Sequence, residues 1–448
     1  MKKVYLAAAA NCLAMMSYGE FFGWSSPSLP LLQGKDSPVP LTPEEATWVT
    51  SCQMLGAMLG CLLCSCVINK IGRKWTVLLT AVPEIVAWLM IGFASSVWEL
   101  YIARLACGLS TGSGYVCTTM YVGEISPARI RGILTSALTA AAKLGVLIGW
   151  TIGPFLSVRN LALVSLTLPI VSVSSIVWLP ESPYHLMRRG KRQQAIETLA
   201  RLRGTANVAE EASIIEKSVK IDLANDTGLR ELLTVSGNRK ALIVVACLAL
   251  IQQWSGSMAI LSYAELIFNA TNNSFEGKYV TMILGVVQFT CAFLSAAMVD
   301  SFGRRTLLTT SMCGTFVSTT LVGVFFYYQH SGANVDRIVW LPAIATILYI
   351  VTYAVGLAAL PFTMMSEVFP TNVKALGSML MIMCTNVFAF TVTLGYPSIA
   401  AQFGKHVAFW VFSAVSFVGI GFVKCYVPET RHKTLQEVQN QLHGEQIF

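Results

Sequence analysis

The 448-residue chain has few charged residues. Asp, Glu, Lys and Arg make up 12% of it, whereas hydrophobic residues make up 54%. Soluble globular domains carry about 25% charged residues, so this composition excludes that class and indicates an integral membrane protein. The chain also lacks a Walker A phosphate-binding loop, paired catalytic carboxylates and a nucleophile triad. We therefore expect neither an ATP-driven pump nor an enzyme, and no cofactor.

Cysteine is present but not in the places where disulfides form. None of the twelve cysteines lies in a predicted external loop of any length, so no disulfide framework is expected. The cluster CLLCSC at 61–66 has the look of a metal-ligand set, but it falls in an apolar helix, where thiolates are costly and cysteine behaves as a small hydrophobe. We expect it to pack, and we expect no metal site.

Long apolar runs dominate the rest of the chain. About 20 apolar residues in helical form cross a bilayer, and only helices or closed barrels span lipid. The alternating ten-residue pattern of a barrel is absent, so we predict an all-α membrane protein. The first run lacks a cleavage site and is read as a retained helix. Twelve spans are predicted, near 4–24, 46–68, 75–95, 98–121, 132–156, 160–179, 241–268, 279–299, 306–328, 338–361, 375–396 and 405–427.

Basic residues orient these spans because they collect in alternate loops. By the positive-inside rule these loops and both termini are cytoplasmic, and the net charge of +8 needs no nucleic acid to explain it. We expect a multi-pass plasma-membrane protein, glycosylated at the sequons of Asn269 and Asn272 in the external loop after the seventh span. The basic residues are Lys70, Arg73, Lys74, Arg129, Arg131, Arg304, Arg305, Lys374, Arg431 and Lys433.

One long polar segment divides the chain. Residues 181–239 mix RRGKRQQAIETLARLRG with EEASIIEKSVKIDLAND, and their apolar residues recur at helical spacing. We predict a six-helix bundle at 1–180, a cytoplasmic linker of short helices at 181–239, a second six-helix bundle at 240–428 and a cytoplasmic tail at 429–448.

Three motifs of the first half recur in the second. INKIGRKWTVLL (68–79) matches VDSFGRRTLLTT (299–310), GEISPARIRG (123–132) matches SEVFPTNVKALG (366–377), and PESPYHLMRRGK (180–191) matches PETRHKTL (428–435). Topology-setting charge alone is one interpretation. Because all three matches lie six predicted spans apart, we favour another interpretation. Inter-helix ion pairs between the bundles would close a cytoplasmic gate in an alternating-access transporter. The predicted network is Arg73, Glu124, Arg131, Glu181, Arg304, Glu367, Lys374 and Glu429.

Together with QQWSG at 252–256, these motifs resemble the sugar porter family of the major facilitator superfamily, which includes the facilitative glucose transporters. SSPSLP, PEEATWV and AVP in the first half are similar to the insect facilitated trehalose transporter group. The resemblance covers essentially the whole chain. It implies two pseudo-symmetric six-helix bundles and transport of a small sugar.

The resemblance also implies a sugar site. In the family motif Gln-Gln-x-Ser-Gly-x-Asn, Gln252 and Gln253 match and Met258 replaces the asparagine. Sugars need amides that donate and accept, plus an aromatic plate. For the glutamines, inter-helix packing is the alternative interpretation. Gly256 is expected to permit a bend, or else close packing, with Ser262 and Tyr263 in an extracellular gate. Other positions carried over are Gln288 (usually Asn), Phe362 (usually Trp), Thr139 (usually Gln), Thr385 and Asn386.

Several charges lie within apolar runs, where an unpaired ion costs at least about 2.5 kcal/mol. They include Glu84 and Glu265. Proton-coupled relatives pair a first-helix aspartate with a fourth-helix arginine; here the resemblance places Phe21 and Arg104 at those positions, which favours uniport. Glu20 is adjacent, however, and its pairing with Arg104 or Lys143 is predicted as a structural ion pair or a proton site.

Three functions remain open at the level of sequence. The leading one is facilitative transport of a hexose or of a disaccharide such as trehalose. The alternatives are a proton-coupled sugar symporter that uses Glu20 and a non-transporting sugar sensor, for which the short tail and modest linker leave little room. The expected partners are the sugar and the lipid bilayer, with no obligate protein partner.

Overall fold

The computed structural model describes residues 2–34, 37–205, 207–224, 229–271, 276–370, 373–431 and 437. All long regular elements in these ranges are helices. The chain forms two compact units. The N unit consists of Met1–Phe22 and Cys52–Asp226, and the C unit consists of Gly23–Ser51 and Thr227–Phe448. The division of the chain into the four predicted segments stays a prediction.

The first ten helices belong wholly or partly to the N unit. Helices α1 and α2 are shared, since their portions within Gly23–Ser51 belong to the C unit. The helices are α1 Lys2–Leu32, α2 Pro43–Ile71, α3 Arg73–Phe93, α4 Val97–Ile125, α5 Ala128–Ile152, α6 Val158–Ser165, α7 Thr167–Ile176, α8 Pro183–Arg188, α9 Arg192–Arg203 and α10 Ala209–Ala224.

The C unit holds the remaining helices. A five-residue π-helical segment, Gln253–Ser257, lies between α12 and α13. The helices are α11 Leu229–Thr234, α12 Ser236–Gln252, α13 Met258–Asn269, α14 Gly277–Ser301, α15 Arg304–His330, α16 Leu341–Val355, α17 Leu360–Val368, α18 Lys374–Phe403 and α19 Lys405–Tyr426.

Ten helical stretches of the described chain are long and apolar enough to cross a membrane. Helices α1 and α4 have 31 and 29 residues but are not among the ten. Both carry many small or hydroxyl-bearing residues, which lower their mean hydropathy. The all-α membrane prediction is confirmed, whereas the count of twelve spans stays a prediction.

Reciprocal caps begin two of the long helices. At the start of α4, the Ser96 hydroxyl accepts the Glu99 backbone N–H at 3.4 Å, and the Glu99 carboxylate accepts the Ser96 N–H at 3.4 Å. Thr42 and Glu45 exchange the same two bonds at 3.3 and 2.9 Å around the start of α2. These capping boxes satisfy N–H groups that have no partner within the helix.

Glycines let helices of the N unit pack backbone against backbone. A Cβ added to Gly19 of α1 would lie 1.9 Å from the carbonyl oxygen of Ala142 in α5, and one added to Gly145 would lie 1.9 Å from that of Met16. A Cβ added to Gly56 of α2 would lie 2.1 Å from the carbonyl oxygen of Leu105 in α4. In lipid the hydrophobic effect does not drive helices together, so association depends on the close van der Waals packing that small residues allow.

The predicted linker contains short helices with an apolar core of their own. Arg203 of α9 pairs with Glu211 of α10 at 2.6 Å and donates to the carbonyl of Ile125 at 2.9 Å, which ties the linker to the end of α4. The Tyr184 hydroxyl donates to Asp222. The core residues are Met187, Ala195, Leu199, Val208, Ala212 and Val219.

Candidate functional site

The polar stretch 252–257 breaks the seventh predicted span. Helix α12 ends at Gln252, and α13 begins after the π-helical segment. Within that segment Gly256 has a φ of 104°, a region that residues with a side chain rarely adopt. A Cβ there would also lie 2.8 Å from Cδ2 of Phe412 in α19. The chain therefore requires glycine here, and π-helical insertions of this kind frequently lie at functional sites.

The two glutamines beside the break form a hydrogen-bonded chain. Gln252 Nε2 donates to the carbonyl of Leu357 at 2.7 Å and more weakly to that of Ala358, in the gap between α16 and α17. Gln253 Nε2 donates to Gln252 Oε1 at 3.5 Å, and Gln253 Oε1 accepts from Ser257 at 3.3 Å. Both side chains are buried. Gln252 thus forms the inter-helix hydrogen bond that the packing interpretation predicts. The hydrogen bonds of Gln253 are long, so a ligand could replace them at little cost.

The segment also makes contacts that sequence reasoning missed. Ser255 shares a hydrogen bond of 3.1 Å with the hydroxyl of Tyr349 in α16, whose ring stacks on Tyr353 at 5.6 Å. Trp254 Nε1 donates to the Thr391 hydroxyl of α18 at 3.1 Å. The signal for the tyrosines was present, because residues four apart share one face of a helix.

The other predicted binding residues are spread over several helices. Gln288 lies on α14, and its Oε1 is buried with no hydrogen-bond partner among the described residues. Thr385 and Asn386 on α18 bond the carbonyls one turn earlier, each at 2.9 Å. Phe362 on α17 is 40% exposed. Gln288 is therefore the polar group of this set that most needs a partner.

Two predicted residues remain. Met258 is the first residue of α13 and is half-buried. Thr139 belongs to the N unit, where it is exposed and its hydroxyl donates to the carbonyl of Thr135 at 3.3 Å. Neither residue has the amide side chain that the family resemblance gives at its position, so the predicted binding set contains few amides.

The outer part of the seventh span contacts neighbouring elements of the C unit. Tyr263 departs from helical geometry with φ −119° and ψ 15°, and its hydroxyl donates to the Thr393 carbonyl at 2.9 Å. Ser262 is buried beside it. The backbone N–H of Glu265 donates to Ser26 of α1 at 3.1 Å. The Gly23–Ser51 portion of the chain is thus bonded directly to α13.

The predicted ion pairs of Glu20 are not formed among the described residues. Glu20 Oε1 accepts the Ser165 hydroxyl at 2.7 Å, and Oε2 has no partner in that part of the chain. Arg104 donates to the Phe21 carbonyl at 3.1 Å and to Gln53. Among the described residues, neither Arg104 nor Lys143 forms an ion pair with Glu20, and a role of these residues as a proton site stays a prediction.

Glu84 of α3 is a second buried acid of the N unit. Its Oε2 accepts a long hydrogen bond of 3.5 Å from Ser110 of α4, and Oε1 has no partner among the described residues. Its surroundings are hydroxyl-bearing rather than cationic in the bonds that the structure shows.

Four residues, the N cluster, join α3, α4 and the start of α8. The Arg73 guanidinium lies 3.0 Å from the Glu124 carboxylate, which also accepts the Ser182 hydroxyl. Glu181 Oε1 accepts the backbone N–H of Arg73 at 2.9 Å and that of the next residue at 3.2 Å, so it caps α3. A Cβ on Gly72 would lie 2.4 Å from Glu181 Oε2, which explains the glycine of the motif.

Neighbouring groups hold the Arg73 guanidinium in place. It donates to Asn69 at 3.2 Å, approaches His185 Nδ1 at 3.0 Å and lies 5.8 Å from the Tyr184 ring. Burial, and then the charge of Arg73, lower the pKa of His185. The neutral imidazole that this favours accepts a hydrogen bond from the guanidinium at Nδ1. Burial raises the pKa of Glu124, and Arg73 opposes that rise.

The same arrangement recurs in the C unit as the C cluster. Arg304 lies 3.0 Å from Glu367, which accepts the Thr430 hydroxyl. Glu429 caps α15, since its Oε1 accepts the Arg304 N–H at 3.0 Å and its Oε2 accepts that of the next residue at 3.1 Å. Although burial acts to raise the pKa of Glu429, hydrogen bonds from backbone amides hold it below its usual value. A Cβ on Gly303 would lie 2.8 Å from Glu429.

The ion pairs predicted between bundles instead lie within units. Arg73 and Glu124 both belong to the N unit, and Arg304 and Glu367 both belong to the C unit. The reason is geometric, because each arginine begins a helix whose first turn lies against the end of a helix of the same half. Arg131 donates to the Ser126 carbonyl at 3.4 Å, and the Lys374 side chain lies outside the described residues.

Of the two predicted glycosylation sites, one is described. Asn269 ends α13 and is exposed, and its Oδ1 accepts the Gly277 N–H at 3.0 Å, which leaves Nδ2 directed away from that bond. Asn272 lies outside the described residues. Glycosylation of either residue stays a prediction.

Sequence comparison places the chain among transport proteins. The family model described as sugar (and other) transporter matches residues 8–442. The facilitated trehalose transporter Tret1 of Polypedilum vanderplanki is 32% identical, over 98% of this chain and 88% of that protein. Tret1 of Anopheles gambiae is 31% identical, over 98% of this chain and 56% of that protein. The chain spans little more than half the length of this second relative.

Solved structures share the fold. The inward-open xylose transporter XylE from E. coli matches with a TM-score of 0.82 at 20% identity, over 98% of this chain and 99% of that one. The proton:xylose symporter XylE bound to 6-bromo-6-deoxy-D-glucose matches with a TM-score of 0.78 at 21% identity and the same coverage. The predicted major facilitator fold is confirmed.

Proposed function

Because the chain belongs to the sugar porter family of the major facilitator superfamily, whose members are membrane transporters and not enzymes, we propose that it carries trehalose by facilitated diffusion. The named relatives support the choice of cargo. Facilitated diffusion by alternating access needs no energy source, which agrees with the lack of an ATP-binding motif in the sequence. The chain works in the plasma membrane with both termini cytoplasmic, and it needs no protein partner.

The observation that carries this proposal is the broken seventh helix with its amide chain. Gln253 makes only long hydrogen bonds, and Gln288 Oε1 has no partner within the described part of the chain, so both amides have bonding capacity for a polar ligand. Sugar hydroxyls both donate and accept, so they complement amides. Gln252 contributes through Gln253, since its own Nε2 bonds the Leu357 carbonyl.

The remaining predicted residues take supporting roles in this proposal. In the C unit, Thr385, Asn386 and Met258 are assigned to the sugar path, and Phe362 supplies the aromatic face. Thr139 of the N unit stays a predicted sugar contact. The half-buried methionine in place of asparagine removes one amide and adds apolar surface. This favours a larger ligand with weakly apolar faces over tight recognition of a single hexose.

The outer half of the seventh span acts as the external gate. Gly256 provides the flexible point, since its positive φ separates α12 from α13. Ser262 and Tyr263 move with α13, and release of the Glu265–Ser26 and Tyr263–Thr393 bonds opens the gate. The N and C clusters brace the cytoplasmic ends of the helices within each unit.

Proton coupling is the second candidate, and the structure favours it less. Phe21 stands where proton-coupled relatives carry an aspartate, and Glu20 bonds Ser165 instead of a cation. With phenylalanine at that position, the aspartate–arginine pair that the resemblance associates with proton coupling cannot form, which favours uniport.

Uptake into proteoliposomes tests the proposal. Labelled trehalose, glucose and xylose should enter saturably, with trehalose preferred. Gln253→Ala should raise the half-saturation concentration by about 3–10-fold, which corresponds to the loss of one hydrogen bond. The matched control is Gln329→Ala, because that amide bonds the Ala270 carbonyl away from the break. Equal uptake by both variants would refute the site, and saturable sugar binding without flux would point to a sensor.

A further inference from the structure

Two histidines meet at one end of the C unit, away from the sugar path. His330 is the last residue of α15, and His406 is the second residue of α19. Their ring centroids lie 5.0 Å apart with an angle of 37° between the ring planes. Since α15 begins in the arginine turn assigned to the cytoplasm, this end is extracellular in the proposed orientation.

The backbone leaves a space between the two imidazoles. Gly404, which joins α18 to α19, has a φ of 92°. A Cβ there would lie 2.8 Å from Nδ1 of His406 and 3.8 Å from Nδ1 of His330. Both Nδ1 atoms therefore border one small volume that any larger residue would fill. Bonds from Zn²⁺ to histidine nitrogen are about 2.0–2.1 Å long, so an ion bound by both rings would lie closer to each Nδ1 atom than this point does.

One of these nitrogens lacks a partner. The His406 side chain is only 8% exposed, and its Nδ1 has no hydrogen-bond partner among the described residues. A buried polar atom in this state costs free energy and calls for a ligand. His330 is exposed, which gives a solvated ion access to the pair.

The surroundings hold the His406 ring rather than satisfy it. Tyr327 and Trp410 contact it edge to face, with centroids 5.6 and 5.3 Å away. The nearby Lys405 ammonium lies over the Phe326 ring at 5.6 Å. These contacts fix the orientation of the imidazole, and pre-orientation of this kind supports metal ligation.

We propose that His330 and His406 bind one divalent transition-metal ion, Zn²⁺, Ni²⁺ or Cu²⁺, through their Nδ1 atoms. Neutral imidazole is a preferred ligand for these ions. Water completes the coordination, since the two histidines supply two ligands. The bound ion joins the end of α15 to the start of α19, so it stabilises the outer part of the C unit.

Binding to the purified full-length protein in detergent tests this site. The protein is prepared without a histidine tag, and the background His432→Ala/His443→Ala removes the tail histidines. Calorimetric titration with ZnCl₂ should give one site per chain. Loss of even a supporting group weakens metal binding by about 10–100-fold, so His330→Ala should weaken it by at least about tenfold.

Two further measurements keep the proposal testable if one variant folds poorly. Cu²⁺ bound to the background protein should show splitting from two nitrogens in its electron paramagnetic resonance spectrum. In His330→Ala the splitting should come from one nitrogen, and because His330 is exposed, we expect this variant to fold. NiCl₂ should raise the melting temperature of the background protein but not of His406→Ala. No binding by the folded background protein, or equal Zn²⁺ affinity in all variants, would overturn the proposal.

Discussion

Removal of Arg73 should destabilise the protein more than removal of its counterpart Arg304. The side chains of the Arg73–Glu124 pair are 2% and 13% exposed, against 15% and 25% for Arg304–Glu367. Breaking a buried pair costs about 3–5 kcal/mol because the remaining charge loses its partner. We therefore expect about 3 kcal/mol for Arg73→Met. For Arg304→Met we expect roughly 1–2 kcal/mol, between the ranges for surface and buried pairs.

Unfolding of both variants in the same detergent measures the difference. The double variant Arg73→Met/Glu124→Leu removes both charges, so it should recover most of the stability that Arg73→Met loses. Equal losses for the two arginine variants would refute the link between burial and cost. A double variant no more stable than Arg73→Met would show that the unpaired carboxylate is not the cause.

Other predictions concern the broken helix and its amides. Gly256→Ala should cost about 1–3 kcal/mol through its positive φ, with more from the contact with Phe412, whereas Gly421→Ala, with open space around it, should be neutral by the same unfolding assay. Gln288→Leu should leave the melting temperature unchanged or raise it while weakening sugar uptake about 3–10-fold, since its buried Oε1 has no partner among the residues that the structure describes. Met258→Asn should lower the half-saturation concentration for glucose relative to trehalose; no change in that ratio would show that position 258 does not select the cargo.

The repeated motifs predicted which residues are equivalent but not how they are bonded. Matching glycines and glutamates, six predicted spans apart, identified Gly72 with Gly303 and Glu181 with Glu429. The sequence does not show that each glutamate caps a helix through backbone N–H groups. Every residue except proline has the same N–H group, so no sequence pattern marks the ones that are bonded. The charges alone could not reveal that each ion pair forms within its own unit, because both units carry arginines and glutamates at matching positions.

The glutamines show a second limit of sequence reasoning. Polarity within an apolar run marked the stretch as unusual, and the family resemblance implied Gln252 and Gln253 as sugar contacts. The partner of Gln252, however, is the carbonyl of Leu357, which lies between the end of α16 and the start of α17. The residues around Gln252 give no indication of that break in a distant helix. By contrast, the spacing of Tyr349 and Tyr353 could have placed both on the face that meets the break.

The level of labelled trehalose reached inside proteoliposomes at equilibrium tests the central claim most directly. Facilitated diffusion predicts that the internal concentration rises to the external value and stops there, whether or not an inward proton gradient is imposed. Accumulation above the external value that depends on the gradient and is abolished by Glu20→Gln would contradict the account.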